Sequence, residues 1–107
     1  MTCHIIISVV TIKDYLGMWN QMSPYGENEG FLVCNRIGER KLGMKWVKGI
    51  DDFVEISYTI NGDVITCDVK PSIVGKFNKA EGFITWHDGS ELYKNWVRRG
   101  RSFYIST

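Results

Sequence analysis

The fold is decided by residues 53–70, FVEISYTINGDVITCDVK, in which apolar and polar side chains alternate on both sides of Asn61-Gly62. Alternation with a period of two is typical of a half-buried β-strand. Asn-Gly is the preferred pair in a two-residue type I′ turn, because both central residues of that turn need a positive φ. The segment therefore predicts a β-hairpin with Asn61 and Gly62 as its loop.

A loop of these two residues also predicts the register of the hairpin. Tyr58 is expected opposite Ile65, on a face whose other members are apolar. Glu55 is expected opposite Asp68 on the other face, where water must separate the two carboxylates because directly opposed like charges destabilise a strand pair.

The rest of the chain repeats this pattern and predicts a mainly β fold. Ile, Val, Thr and aromatic residues number 41, against four Leu and one Ala, a composition that favours strands over helices. Short alternating runs separated by turn residues predict a single-domain antiparallel meander over residues 1–107, forming a small barrel or sandwich. The runs from Gly30 onward are residues 31–35, 41–48, 53–60, 63–70, 73–77, 82–87, 91–98 and 102–106.

The N-terminal part has a different pattern. The β-branched run Cys3–Thr11 predicts a buried strand. Apolar residues then recur at helical spacing and predict one short helix over residues 12–22, although Gly17 lies inside it. These apolar residues are Ile12, Tyr15, Leu16, Trp19 and Met22.

A second hairpin is expected around Asp88-Gly89. A three-residue loop that closes after Ser90, with Gly89 in a left-handed bulge, would place Trp86 opposite Leu92. Trp86 alternates with Ile84, so it is expected in the core. The neighbouring His87, Asp88 and Glu91 are interpreted as a solvated turn, because acid–base catalysis needs a cleft.

Composition and motifs exclude several classes of protein. The net charge of +1 excludes a whole-molecule field that steers the chain to nucleic acid or to membranes. The apolar run Ile5–Val10 is too short to span a bilayer, and three sparse cysteines favour a reducing, cytoplasmic location as free, buried residues. The sequence has no metal-ligand spacing and no Gly-rich phosphate loop, so no metal and no cofactor is expected.

One tripeptide resembles a signature of the calycins, the family of lipocalin and fatty-acid-binding barrels. Gly17-Met18-Trp19 is similar to their G-x-W motif. In that family a basic residue of the last strand stacks on this Trp, and Arg98, Arg99 or Arg101 would have this role here. The resemblance implies a closed barrel, locked at one end by the cation–π contact and holding a small apolar ligand inside. The chain is shorter than those barrels, and a strand is expected before the motif.

The C-terminal segment combines cations with aromatic residues. Lys94, Trp96 and Arg98 alternate, so they share one strand face, which the flanking charges predict to be exposed. With Arg99 and Arg101 they would form a partner surface for a protein or a single-stranded nucleic acid. Alternatively, this basic segment pairs with the acidic middle of the chain.

Together these patterns favour a non-enzymatic binding protein with a small apolar ligand in a β-barrel interior. Strands of about seven residues in an eight-stranded barrel leave little space beyond their own side chains. The alternatives are the partner surface on the C-terminal strand and a small enzyme of unrecognised type. Ligand identity and oligomeric state, including a homo-oligomer, stay open.

Overall fold

A computed structural model describes residues 9–47 and 54–98, in which eight antiparallel strands close into a barrel. Each strand pairs with the next along the chain, and the first strand pairs with the last. The expected meander is therefore confirmed, as a barrel rather than a sandwich. A 3₁₀ turn, Ile12–Tyr15, precedes the strands β1 Gly17–Met22, β2 Asn28–Arg36, β3 Lys41–Trp46, β4 Glu55–Asn61, β5 Val64–Cys67, β6 Ile73–Asn78, β7 Phe83–Asp88 and β8 Glu91–Arg98.

Two expectations at the chain ends fall mostly outside the described residues. The run 102–106 lies there entirely, as do residues 3–8 of the strand predicted at Cys3–Thr11. Residues 9–11 are described and belong to no strand.

The helix predicted over residues 12–22 is wrong in its extent. Only the 3₁₀ turn is helical, and Trp19 lies on β1. The chain leaves the turn at Gly17, whose φ is +102°. A Cβ at this residue would lie 3.3 Å from the Arg98 guanidinium nitrogen Nη1, so glycine suits both the backbone conformation and the contact.

The β4–β5 hairpin is present, but its predicted register is wrong. Asn61 pairs with Val64, so the loop is Gly62-Asp63, and Tyr58 lies opposite Cys67 rather than Ile65. Gly62, with a φ of +62°, occupies the first loop position instead of the second. A shift of two residues leaves each side chain on its predicted face, because the side-chain period is two.

The new register also separates the two carboxylates that were expected to face each other. The Asp68 amide donates to the carbonyl of Ser57, one pairing step beyond Tyr58–Cys67. The Asp68 carboxylate accepts hydrogen bonds from Lys41 Nζ at 2.8 Å and Ser57 Oγ at 2.6 Å, and from Thr59 Oγ1. These donors, Lys41 first, lower the pKa of Asp68 to about 2.

The β7–β8 hairpin corrects the second predicted register. Its loop is Gly89-Ser90, and Trp86 lies opposite Lys94 rather than Leu92. Gly89 has the expected left-handed conformation, with a φ of +64°, but the bulge is not at Gly89. It lies in β8, where Tyr93 is the extra residue between the pairs of Leu92 and Lys94. The bulge therefore decides which residues of β8 face the interior.

One end of the barrel, here called the closed end, is sealed around Trp19. The Arg98 guanidinium lies 3.8 Å from the Trp19 ring centroid and donates to the carbonyls of Leu16, at 2.6 Å, and Asp14. The Trp19 indole donates to the Tyr15 carbonyl at 2.9 Å, and the Tyr15 hydroxyl donates to the Gly62 carbonyl at 2.9 Å.

A chain of aromatic rings fills the barrel from the closed end to its middle. Neighbouring ring centroids along this chain are 4.7–6.5 Å apart, the range of favourable edge-to-face and tilted contacts. Each ring is at most 7% exposed. The chain runs through Tyr15, Phe77, Trp19, Trp96, Trp86 and Tyr58.

We expect Arg98→Ala to lower the free energy of unfolding by about 3 kcal/mol, because it removes the cation–π contact and two charged hydrogen bonds at once. Arg36→Ala is the matched control, since Arg36 also donates to two carbonyls but is exposed, and it should cost within about 0.5 kcal/mol. Urea unfolding followed by tryptophan fluorescence measures both. Equal losses in the two variants would contradict the role given to the closed end.

Candidate ligand site in the barrel interior

The site is built around Lys94, which β8 directs into the barrel. Lys94 is 8% exposed and pairs across the sheet with Trp86. Its ammonium nitrogen lies 5.3 Å from the Trp86 ring centroid, 5.0 Å from that of Tyr93 and 5.5 Å from that of Trp96. The three rings form an aromatic cage around one amine.

Three hydrogen-bond donors of this region have no acceptor among the described residues. They are the Trp86 indole nitrogen, which is completely buried, and the Lys94 amine and the Tyr58 hydroxyl, which belong to buried residues but keep some contact with solvent. The Tyr58 ring contacts both Trp86, at 5.3 Å, and Trp96, at 5.7 Å, so the donors belong to one cluster. A completely buried donor is normally paired in proteins, so the unpaired Trp86 indole nitrogen is unusual.

Burial sets the electrostatics of the cluster. Loss of hydration lowers the pKa of Lys94 to about 8, with Cys67 and Glu29 acting in the opposite direction. Burial also raises the pKa of Tyr58, reinforced by Cys67 and Cys34. At neutral pH Tyr58 therefore keeps its proton, while Lys94 loses its own far more readily than an exposed lysine.

The residues singled out from the sequence fall in two places. Trp19 and Arg98 meet at the closed end, where Arg98 stacks on the ring as the calycin resemblance implied. Trp96 is fully buried, and Lys94 nearly so, which means that the exposed strand face expected for them is wrong. Arg99 and Arg101 lie outside the described residues, so their place in a partner surface stays a prediction.

The sequence contained a signal for this inward face. If Arg98 stacks on Trp19 at the barrel seam, then Trp96 and Lys94, two and four residues earlier, must share its inward direction. The flanking charges of Trp96 favoured the opposite interpretation. Tyr58 and Trp86 were expected in the core, but a pattern of apolar residues does not show that their polar atoms lack partners.

Other titratable groups lack the surroundings of a reactive site. Cys34 and Cys67 are free and buried, as expected, and burial raises the pKa of Cys34 to about 12. His87 is exposed, and Asp88 pairs with Lys70 at 3.0 Å, in keeping with a solvated turn. Within residues 9–47 and 54–98, no group of three or more His, Cys, Asp or Glu side chains is placed to hold a metal ion.

Two surface cavities are lined by described residues alone, and neither includes Lys94. A groove of about 310 Å³ lies between the β1–β2 loop and the outer face of β7 and β8, with Pro24, Phe83 and Val97 in its walls. The other, about 250 Å³, lies beside Asp14 and Arg98 at the closed end.

No known protein family, curated protein or solved structure matches this chain. Among the described residues, no helix has the length and hydrophobicity needed to cross a membrane.

We expect Lys94→Met to raise the free energy of unfolding at pH 7, and the gain to shrink between pH 8 and pH 10. The folded-state pKa of about 8 lies below the ordinary value of 10.5, so in this window the unfolded chain binds more protons and wild-type stability rises with pH. Below pH 8 the buried Lys94 amine is charged, and its burial lowers the free energy of unfolding by the full amount, on the order of 3 kcal/mol. Urea unfolding of both proteins at pH 7 and pH 9.5 measures it.

The difference between the two proteins cancels the titration of the buried tyrosines and cysteines, which both contain. Lys45→Met, on the exposed outer side of β3, is the control and should stay within about 0.5 kcal/mol of wild type at both pH values. A Lys94→Met gain of the same size at pH 7 and pH 9.5 would contradict the lowered pKa.

Proposed function

We propose that the protein is a non-enzymatic binding protein that holds a small, mainly aromatic molecule with one oxygen acceptor in the barrel interior beside Lys94. The observation that carries this proposal is the completely buried, unpaired Trp86 indole N–H, which lies beside the Lys94 amine and the Tyr58 ring. A ligand oxygen supplies the acceptor that the described residues do not, and a ring on the ligand packs against the aromatic cage.

The energetic reason is the cost of burying a polar group without a hydrogen-bond partner. A buried donor without a partner costs about 1–3 kcal/mol, and the cost is higher for a charged group. An oxygen that accepts from the Trp86 indole, with Lys94 and Tyr58 beside it, recovers part of this cost on binding. A molecule of the same shape without the oxygen recovers none, so the donors favour acceptor-bearing ligands over plain hydrocarbons.

We also propose that the barrel is related to the calycins. Support comes from the closed end, where Gly17 has a positive φ, Trp19 lies buried and Arg98 stacks on its ring. The stacked Arg98 and the closed barrel of eight antiparallel strands are the features that the family resemblance implies. Such a relationship agrees with a ligand in the barrel interior.

The half of the barrel beyond Lys94 supplies further apolar surface. Trp46, Ile56 and Ile73 pack against the core but are only partly buried, in contrast to the rings near the closed end. We place the apolar part of the ligand against these residues, with its oxygen toward Lys94.

Titration with 2-naphthoate, 2-naphthalenemethanol and 2-methylnaphthalene tests the proposal, with quenching of tryptophan fluorescence as the signal. The first two should bind at least about tenfold more tightly than the hydrocarbon, because only they offer an oxygen. Tyr58→Phe and Lys94→Met should each remove much of this preference. Tyr25→Phe, at a residue 90% exposed in the β1–β2 loop, is the control and should leave it unchanged.

Two results would overturn the proposal. One is the absence of binding by all three molecules to a folded wild-type protein. The other is equal affinity for the alcohol and the hydrocarbon in wild type, since the donor cluster would then contribute nothing to recognition.

A further inference from the structure

Lys94 forms no ion pair with a described acidic residue, in contrast to Lys41, Lys70 and Lys79. The ion pairs of the described residues join Lys41 to Asp68, Lys70 to Asp88 and Lys79 to Asp14, all with substantially exposed side chains. Lys94 forms none of these pairs and lies among three rings instead. A buried amine in apolar surroundings is easily deprotonated, and the neutral amine is a nucleophile.

We propose that the ligand is an aldehyde and that Lys94 captures it reversibly as an imine, an inference that rests on the proposed function. The Lys94 nitrogen lone pair forms a bond to the aldehyde carbon, and the C=O π electrons move to oxygen, which takes up a proton. The resulting carbinolamine loses the nitrogen proton and the hydroxyl group as one water molecule. The reaction needs no oxidant or reductant, and addition of water reverses it.

The surroundings favour this neutral reaction over an ion pair with a carboxylate ligand. Burying an ammonium and a carboxylate together requires both to lose their hydration. A neutral amine and a neutral carbonyl avoid this cost, and the cage around Lys94 supplies no described carboxylate contact. The neutral imine is compatible with a site that is lined by aromatic side chains.

Tyr58 is placed to assist the capture. Its ring contacts Trp86 and Trp96, the two rings over which the Lys94 amine lies, and its hydroxyl has no other partner among the described residues. Because burial raises its pKa, Tyr58 stays protonated and donates a hydrogen bond to the carbonyl oxygen. This contact polarises the carbonyl and later stabilises the departing water.

The supply of neutral amine supports the same step. With a pKa of about 8, Lys94 is unprotonated in about a tenth of the molecules at pH 7. An ordinary exposed lysine is unprotonated in only about one molecule in 3,000. Lys94 therefore holds a several-hundredfold advantage in nucleophile concentration.

The experiment uses 2-naphthaldehyde at a concentration equal to that of the full chain, at pH 7, with cyanoborohydride to reduce any imine to a stable amine. Intact mass should show one naphthylmethyl group per chain, and peptide mapping should place it on Lys94 at least about tenfold above any other lysine. Lys94→Arg keeps a cation but forms no such adduct, and should lose the label. Lys70→Met, which removes an exposed lysine, is the control and should keep it.

The pH profile gives a second readout. The charged and titratable groups around Lys94 are Glu29 on β2, Tyr58 on β4, Cys67 on β5 and Tyr93 on β8. Imine formation at Lys94, followed by absorbance without the reductant, should rise with pH around a midpoint near pH 8 rather than near pH 10.5. Because Glu29 raises the pKa of Lys94, Glu29→Gln should move the midpoint to lower pH.

Each outcome separates this inference from the proposed function. If 2-naphthalenemethanol binds but the aldehyde labels Lys94 no more than other lysines, the imine is overturned and the binding barrel stands. If Lys94→Arg is folded by circular dichroism and still acquires the label, the assignment of Lys94 is wrong. If neither alcohol nor aldehyde is bound, both proposals fail.

Discussion

The contact between the Arg98 guanidinium and the Trp19 ring joins the last described residue of β8 to β1, at the seam where the sheet closes on itself. The same guanidinium satisfies the carbonyls of Leu16 and Asp14, so it ties the preceding 3₁₀ turn to the barrel. A guanidinium is well suited to this position, because its flat face stacks on the Trp19 ring while the N–H groups at its edge donate to two backbone carbonyls. Closure also removes exposed sheet edges.

The direction of Arg98 constrains the whole inner face of β8. Side chains of a strand alternate, so an inward Arg98 carries Trp96 and Lys94 inward as well. The inward position stabilises Trp96, because its ring contacts rings from three other strands. The inward position destabilises the charged form of Lys94, because the amine loses hydration and forms no ion pair with a described acidic residue. A costly buried amine of this kind is typical of functional sites, where stability is exchanged for chemistry.

Local turn chemistry predicted both hairpins but neither register. Asn61-Gly62 and Asp88-Gly89 each lie at a turn. In both hairpins, however, the loop begins at the glycine, one residue later than predicted. The turn residues are compatible with either of two loops that begin one residue apart. Contacts along the barrel select between these two loops. In β4–β5 the decisive contacts include the hydrogen bonds of Asp68 to Ser57 and Lys41. In β7–β8 the bulge at Tyr93 restores an inward Lys94.

The sequence by itself determined the mainly β class, the seven strands from residue 28 to residue 98 within a few residues, and the burial of Tyr58 and Trp86. Alternation, turn residues and composition are local properties, so a single sequence displays them. Only the tertiary structure decided the barrel rather than the sandwich, the exact registers and the inward direction of Lys94. The closed barrel and the inward direction of Lys94 depend on β1 meeting β8, whose paired residues are 73–79 positions apart in the chain. The cost of burying Lys94 likewise arises only in the folded barrel, where rings from other strands exclude water from the amine.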